Sequence, residues 1–272
     1  MNRERVTLTG PQETMLATLY SRALDSRERH SVLRDHWAET AVERIDYDFG
    51  RTGINRATAA GVALRGKLLD DWTGRFLAEH PGATVLHLAC GLDTRAHRLG
   101  PPPGTRWYDV DHPEVLDLRE RLLPPPPGEY HLIGASVTGD AWLDEVPADR
   151  PVAAVFEGLS MYLREEDGKR LVQRIAARFP SGELLFDCYG SFGIRLQRLV
   201  PAVRNSGATL HWGIDDPYEL ESWHDGLRCL DAVRSVDTPR LVDFPVPGRW
   251  SLRMMSHLPR VRDVGRILRY AF

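Results

Sequence analysis

Thr84–Arg98 reads T-V-L-H-L-A-C-G-L-D-T-R-A-H-R, and this segment contains three kinds of local structure in succession. Its apolar part, residues 85–89, predicts a buried central strand. Gly91 ends that strand, and the residues that follow it can open a helix. A glycine lets the backbone approach a ligand closely, and a helix N-terminus offers free N–H groups. The segment therefore predicts the strand–turn–helix unit with which doubly wound α/β folds bind nucleotides.

The sequence around this segment divides into a helical part and an alternating part. Residues 11–80 carry apolar residues at helical spacing, so we predict an N-terminal helical cap over residues 1–80. A core over residues 81–272 would join this cap in one structural domain. Strands separated by helices are predicted at 84–89, 105–110, 130–135, 151–156 and 183–189. This alternation indicates a mostly parallel sheet that helices cover on both faces.

The pattern becomes less regular after Gly190. Residues 190–225 are polar and aromatic, and we interpret them as an insertion that caps the substrate. Residues 227–236 and 250–257 have strand-like sequences without a long helix between them, which predicts an antiparallel pair at the sheet edge. Residues 260–272 place apolar side chains on one helical face and are predicted to form a docked terminal helix.

The composition argues against several function classes. The chain has 272 residues, of which 42% are hydrophobic and 27% charged, as in ordinary globular proteins. A net charge of −3 offers no electrostatic basis for binding nucleic acid or an anionic membrane. Three scattered cysteines argue against a disulfide framework and a zinc site, and we expect no metal. The polar N-terminus and the lack of an apolar run of about 20 residues predict a cytoplasmic protein.

The turn itself narrows the choice of nucleotide. A dinucleotide fingerprint needs three glycines, whereas residues 89–94 contain only Gly91, and no G-K-[ST] triphosphate motif is present. An NAD-dependent oxidoreductase is therefore disfavoured, and a nucleoside without phosphates is favoured. Asp111 ends the second strand, twenty residues past Gly91, where a carboxylate can accept both ribose hydroxyls. The alternative is that Asp111 only caps the helix that begins near Pro113.

Two motifs, Cys90-Gly-Leu-Asp-Thr-Arg95 and Glu157-Gly-Leu-Ser-Met-Tyr-Leu163, are specific in combination. Together with Tyr108-Asp-Val-Asp-His-Pro113, they resemble the leucine carboxyl methyltransferase-like family of S-adenosylmethionine (SAM)-dependent O-methyltransferases, in particular its bacterial polyketide branch. The resemblance spans about residues 13–220. It implies a Rossmann-like α/β fold of class I, in which seven strands form a mostly parallel sheet with an antiparallel edge.

The resemblance also implies cofactor contacts at matching positions. Arg65 matches an arginine that pairs with the SAM carboxylate, a role that suits guanidinium because it donates two parallel hydrogen bonds. Gly91 and Asp93 match the turn beneath the methionine portion. Asp111 matches the residue that accepts the ribose hydroxyls.

Two positions depart from the family pattern. Ala89 stands where glycine is usual, so we expect the backbone there to lie slightly further from the ligand. Ser136 and Val137 stand where the third strand usually ends in Asp-Leu and contacts the adenine amino group. A serine hydroxyl can still accept that hydrogen bond, and Asp140 is close enough in sequence to substitute. All three of Ala89, Ser136 and Val137 are kept as cofactor-binding candidates.

The candidate catalytic residues depend on the acceptor. Glu157 and Tyr162 match residues that line the SAM and substrate cleft in the family, and Glu157 is also a cofactor-binding candidate. A carboxylate acceptor is ionised at neutral pH and needs no general base, whereas a histidine would help a phenol or enol. His112, His211 and His224 are available, and we include His211 as the candidate base.

These features predict an enzyme that uses SAM, releases S-adenosylhomocysteine (SAH) and needs no metal. Its acceptor would be a carboxylate, or a phenol or enol hydroxyl, of a small aromatic polyketide-type molecule. Two alternatives are a protein carboxyl methyltransferase and a non-catalytic SAM-binding member of a biosynthetic complex. No nucleic-acid or membrane partner is expected, and a homodimer is one form of assembly that the sequence leaves open.

Overall fold

Seven strands form one sheet at the centre of the structure, a computed structural model that describes residues 3–6, 10–237 and 262–272. In chain order these strands are β3 Thr84–Leu88, β4 Arg106–Asp111, β5 Glu129–Gly134, β6 Val152–Phe156, β7 Gly182–Tyr189, β8 Arg228–Arg234 and β9 Gly265–Ala271. Two further strands pair with each other outside this sheet, β1 Glu4–Arg5 and β2 Ile45–Asp46.

The order of the strands places a parallel block beside an antiparallel edge. The sheet order is β5-β4-β3-β6-β7-β9-β8. β3 to β7 run parallel, whereas β9 is antiparallel to both of its neighbours. The fold predicted from the sequence, a mostly parallel seven-stranded sheet with an antiparallel edge, is therefore confirmed.

Helices cover the sheet and lead into it. The α-helices are α1 Pro11–Ser26, α2 His36–Arg44, α3 Arg56–Glu79, α4 Arg95–Leu99, α5 Pro113–Leu122, α6 Glu165–Arg178, α7 Ser191–Arg195 and α8 Pro201–Ser206. Short 3₁₀ helices occupy Phe49–Thr52, Ala141–Glu145, Ser160–Tyr162, Gln197–Leu199, Pro217–Trp223 and Ser235–Asp237. No helix of the described residues is long and apolar enough to cross a membrane.

Opposite faces of the sheet pack against different helices. Apolar residues of α3, among them Trp72 and Phe76, form one buried cluster with β3 and β6. Leu171 and Ile175 of α6 belong to a second cluster on the other face. Every residue of β3 and β6 is buried, as is expected for central parallel strands that are covered on both faces. The central strands are thus held rigidly, and their carboxyl ends form a stable platform.

The predicted terminal helix is wrong, because residues 265–271 form β9. This strand fills the space between β7 and β8 and hydrogen-bonds to both. It buries Ile267 on one face of the sheet and Leu268 and Tyr270 on the other. Pairing on two sides and burial on two faces outweigh a local helical pattern, since the environment of a strand decides its stability more than intrinsic preference does.

The predicted antiparallel edge is present, although its pairing differs from the expected one. β8 lies where residues 227–236 predicted a strand, and its partner is β9. The other predicted member, residues 250–257, lies outside the described residues. Residues 191–199, at the start of the predicted insertion, form two short helices at Ser191–Arg195 and Gln197–Leu199.

Candidate functional site

A cavity of about 440 Å³ opens at the carboxyl ends of the parallel strands. Because β3, β4, β6 and β7 run in the same direction, the residues that follow them meet at one edge of the sheet. Helix α1, helix α3 and the segment 200–203 supply the remaining walls. The cavity therefore lies where doubly wound folds bind their ligands.

The turn after β3 brings the backbone to the cavity. Ala89 and Gly91 both have positive φ angles, +48° and +51°. A Cβ atom on Gly91 would lie 3.3 Å from the Cβ of Met15, so α1 packs directly against this turn. Ala89 adopts a conformation that favours glycine, which is the residue that the family usually has there. Whether this alters the distance from backbone to ligand stays a prediction.

Asp111 lies at the end of β4 and faces this turn. Its Oδ2 accepts a 2.7 Å hydrogen bond from the Gly91 N–H, and its Oδ1 accepts one of the same length from the His112 N–H. The side chain makes no hydrogen bond to the first turn of α5, so the capping alternative is not observed. Burial raises the pKa of Asp111, against the lowering effect of the two N–H donors. The carboxylate is therefore already oriented to accept a hydrogen bond from a ligand hydroxyl.

Glu157, which follows β6, is the centre of a buried ionic network. Its Oε1 accepts hydrogen bonds from Arg22 at 2.9 Å and Arg65 at 2.8 Å, and its Oε2 accepts one from Arg95 at 2.6 Å. Burial alone would raise the pKa of Glu157, but the three guanidinium groups lower it to about 2. Helices α1, α3 and α4 are thereby joined at one carboxylate.

Asp93 joins the same network from the turn. Its carboxylate contacts Arg22 at 3.0 Å and Arg98 at 2.8 Å. These two cations, against the opposing effect of burial, hold the pKa of Asp93 well below its usual range. His87 lies 3.6 Å from Asp93 through Nε2 and 2.9 Å from Asp109 through Nδ1.

The sequence interpretation did not identify most members of this network. Among its described residues, four arginines contact five carboxylates; they are Arg22, Arg65, Arg95 and Arg98 with Asp35, Asp70, Asp93, Glu157 and Asp187. The spacing of two arginines after the G-L-D-T turn could have indicated Arg95 and Arg98. Arg22 stands in an ordinary helical context, and its part in the site depends on long-range packing.

The network fits a small ligand that carries a carboxylate and an additional positive charge. Arg22 lines the cavity, and its buried Nε has no hydrogen-bond acceptor among the described residues. The five carboxylates exceed the four guanidinium groups by one negative charge, which favours a cationic ligand. A methionine-type carboxylate beside Arg22 and Arg65, with a sulfonium nearby, satisfies both observations.

The other end of the cavity is apolar. Met161, Val200, Val203 and Leu210 line it, and we call this part the apolar chamber. The phenol rings of Tyr162 and Tyr189 pack against the same cluster. The helix that covers it, α8, is tied to the start of α1 by a 3.1 Å hydrogen bond from the Gly10 N–H to the Ser206 carbonyl. The chamber suits a largely apolar group of a ligand.

The structure brings some of the predicted residues together and leaves others apart. Those that line the cavity are Arg65, Ala89, Gly91, Asp93, Asp111, Glu157 and Tyr162. Ser136 and Val137 do not line it; the Ser136 hydroxyl lies 2.9 Å from that of Thr138, and Val137 is buried in the core. Asp140, named as a substitute for Ser136, pairs with Arg174 at 3.0 Å. An adenine contact at any of these three positions stays a prediction.

The histidines lie in different places. His211 is exposed and does not line the cavity, although its N–H donates a 2.8 Å hydrogen bond to the Met161 carbonyl. His224 does not line the cavity either, whereas His112 does, next to Asp111. His87, which the sequence interpretation did not single out, lines the cavity and is buried. A catalytic role for His211 stays a prediction.

Metal ligands are not grouped in the part of the chain that the structure describes. No three His, Cys, Asp or Glu side chains there are arranged to hold an ion. Cys90, Cys188 and Cys229 are free thiols.

Comparisons with known proteins show the family and the fold to which this chain is related. A family model described as leucine carboxyl methyltransferase matches residues 15–176. The tetracenomycin polyketide synthesis O-methyltransferase TcmP of Streptomyces glaucescens is 45% identical over 99% of both chains. A SAM-dependent methyltransferase of Gibberella zeae, dpfgK, is 38% identical over 84% of this chain and 83% of its own. Among solved structures, a DUF574 family protein of Streptomyces avermitilis has a TM-score of 0.58 at 15% identity, covering 91% of this chain and 98% of its own, which shows a shared fold.

Proposed function

Because the chain belongs to the leucine carboxyl methyltransferase family and is a SAM-dependent methyltransferase, we propose that it methylates an oxygen of a small aromatic, polyketide-type molecule. The acceptor oxygen is a carboxylate in the favoured form of the proposal, and a phenol or enol hydroxyl in the other. The observation that carries the proposal is the cavity itself, in which one end is ionic and the other is the apolar chamber.

The closely similar TcmP supports the choice of acceptor class. Its name assigns it to the synthesis of tetracenomycin, a polyketide, and its identity of 45% extends over nearly the whole of this chain. An apolar chamber of Met161, Val200, Val203 and Leu210 suits the fused rings of such molecules, since burial of ring surface stabilises binding by roughly 25 cal/mol per Å².

We assign the cofactor contacts as follows. Arg65 and Arg22 would hold the methionine carboxylate, Gly91 and Asp93 would form the wall beneath the methionine chain, and Asp111 would accept the ribose hydroxyls. SAM, when bound, supplies the methyl group. The acceptor oxygen forms a bond to the methyl carbon, the C–S bond breaks with its electrons passing to sulfur, and SAH is released. The protein's part is to align the acceptor and to exclude water from it.

The placement of the histidines in the described part of the chain supports a carboxylate acceptor. Two imidazoles there line the cavity, those of His87 and His112; the first contacts Asp93 and Asp109, and the second follows Asp111. Neither belongs to the apolar chamber. A carboxylate needs no base there because it is ionised at neutral pH, whereas a phenol must lose its proton.

The proposal is tested by incubating the protein with methyl-labelled SAM and either 2-naphthoic acid or 2-naphthol. We expect label in the organic extract with the acid, and its loss on mild alkaline treatment, which cleaves an ester but not an ether. Label in the extract that resists alkali would favour the phenol form. If SAH binds but label enters only a protein fraction, or no acceptor at all, the proposed small-molecule activity is wrong.

A further inference from the structure

Tyr189, the last residue of β7, is a phenol that the sequence interpretation did not single out. It lines the cavity and is partly exposed. Asp187 lies two residues earlier on the same strand, so both side chains leave the same face of the sheet. Asp187 is engaged by Arg65 at 2.9 Å and by the Gly158 N–H at 2.6 Å. Tyr189 is thus the next side chain on the same face as Asp187, on the side of the apolar chamber.

The hydroxyl of Tyr189 has no hydrogen-bond partner among the described residues, in contrast to its neighbours. The Tyr162 hydroxyl lies 3.2 Å from the Thr14 hydroxyl. The hydroxyls of Thr18 and Ser21 donate to backbone carbonyls of α1 at 2.8 Å and 2.7 Å. Tyr189 lines the cavity and is partly exposed, so its hydroxyl is available to bond to a ligand there.

The position of Tyr189 indicates which ligand supplies that partner. Neighbouring strands lie about 4.8 Å apart, which places the end of β7 about 14 Å from the end of β4, where Asp111 stands. The ring of Tyr189 packs with Met161, Val203 and Leu210 of the apolar chamber. The ring of Tyr189 therefore lies beside the apolar chamber, away from Asp111.

The chemistry of this phenol suits a donor. Burial and the nearby Asp187 raise the pKa of Tyr189, and the opposing effect of Arg65 is smaller than that of burial. A phenol that keeps its proton at neutral pH cannot remove one from the acceptor. It can donate to an anionic oxygen, which forms stronger hydrogen bonds than a neutral one.

We propose that Tyr189 donates a hydrogen bond to the carboxylate of an aromatic carboxylic acid acceptor and so positions the oxygen that receives the methyl group. This inference rests on the proposed function and narrows its acceptor to a carboxylic acid. One carboxylate oxygen accepts the hydrogen bond from the phenol, which leaves the other free to face the sulfonium.

The test compares Tyr189→Phe with the wild type and with Tyr218→Phe, a control in which the altered ring is 62% exposed. Phenylalanine keeps the ring in its cluster and removes only the hydroxyl. Each protein is saturated with SAH and titrated with 2-naphthoate in a calorimeter, and its affinity for SAH is measured separately. We expect naphthoate to bind about tenfold more weakly to Tyr189→Phe, because a hydrogen bond to a charged group contributes about that much. The affinity for SAH should be unchanged, and Tyr218→Phe should behave as the wild type.

Several results would overturn the assignment. The first is that Tyr189→Phe and the wild type bind naphthoate equally well, and the second is that the wild type does not bind naphthoate. The third is a weakened affinity of Tyr189→Phe for SAH, which would assign the phenol to the cofactor. In turnover with labelled SAM, a rise in KM for 2-naphthoate with little change in kcat supports the binding role. If naphthoate binds in a Tyr189-dependent way but no label is transferred, the proposed function fails and with it the role of Tyr189 in methyl transfer, whereas its hydrogen bond to the carboxylate is retained.

Discussion

The Gly91 N–H donates a 2.7 Å hydrogen bond to the Asp111 carboxylate, and this contact joins the turn after β3 to the end of β4. Gly91 follows β3 and Asp111 ends β4, and these two parallel strands pair directly, so the sheet brings both groups to the same edge. The turn and the carboxylate are consequently oriented before a ligand arrives. Preorganisation of this kind reduces the ordering that binding would otherwise require.

Ala89→Gly is expected to stabilise the protein. Ala89 has a φ of +48°, a conformation that costs an alanine about 1–2 kcal/mol. Glycine avoids this cost, but its more flexible unfolded chain offsets about 0.5–1 kcal/mol of the stabilisation. We predict a rise of about 0.5–1 kcal/mol in the free energy of unfolding, measured by urea titration. Ala60→Gly, within helix α3, is the control and should lower it by about 1 kcal/mol. A loss of stability in Ala89→Gly would show that the methyl group packs favourably despite its backbone.

Arg65→Lys is expected to weaken SAH binding about 10- to 100-fold. The Arg65 guanidinium contacts both Glu157 and Asp187, and its planar fork can present further donors to a carboxylate, which a single ammonium group cannot reproduce. Calorimetric titration with SAH measures the effect. Arg75→Lys in the same helix is the control, because Arg75 is exposed and should leave the affinity unchanged. Wild-type affinity in Arg65→Lys would remove this residue from the cofactor site.

Glu157 is expected to make stability depend on acid pH. Its folded-state pKa of about 2 lies below its ordinary value of 4.5, so its ion pairs stabilise the protein fully above about pH 5 and are lost as the pH falls toward 2. In Glu157→Gln this contribution, on the order of 3 kcal/mol, is absent at neutral pH.

Urea titrations at several pH values should therefore show a wide stability gap between Glu157→Gln and the wild type at pH 7, which narrows between pH 4.5 and 2. The exposed Glu166→Gln is the control and should follow the wild-type curve. A gap that stays constant with pH would mean that the Glu157 carboxylate is not held ionised by its arginines.

Two helical glycines should respond to alanine in opposite directions. A Cβ on Gly168 would overlap the ring of Trp212, whereas one on Gly74 would meet only Leu99, at 3.9 Å. We predict that Gly168→Ala lowers the free energy of unfolding by about 1–3 kcal/mol through overpacking. Gly74→Ala should raise it by up to about 1 kcal/mol through helix propensity. Thermal unfolding of both variants measures the difference, and a neutral Gly168→Ala would indicate that the Trp212 ring can move.

The turn and its carboxylate could be predicted because their signals are local. An apolar strand followed by Gly91, and Asp111 at a second strand end, are read from short segments. The ionic network could be predicted only in part. Arg65 and Glu157 were identified through resemblance, whereas Arg22 lies 135 positions from Glu157 in the chain and is brought to it by the packing of α1.

The sequence by itself determined the alternation of strands and helices and the strand–turn–helix at Thr84–Arg98, because hydrophobic periodicity and turn residues act over a few positions. It indicated the family through the resemblance of short motifs. Tertiary structure decided that residues 265–271 form β9, that four arginines converge on Glu157 and Asp93, and that Tyr189 lines the cavity. Each of these depends on segments that are distant in the chain. Contacts of that kind form only when the sheet is assembled, so no local pattern contains them.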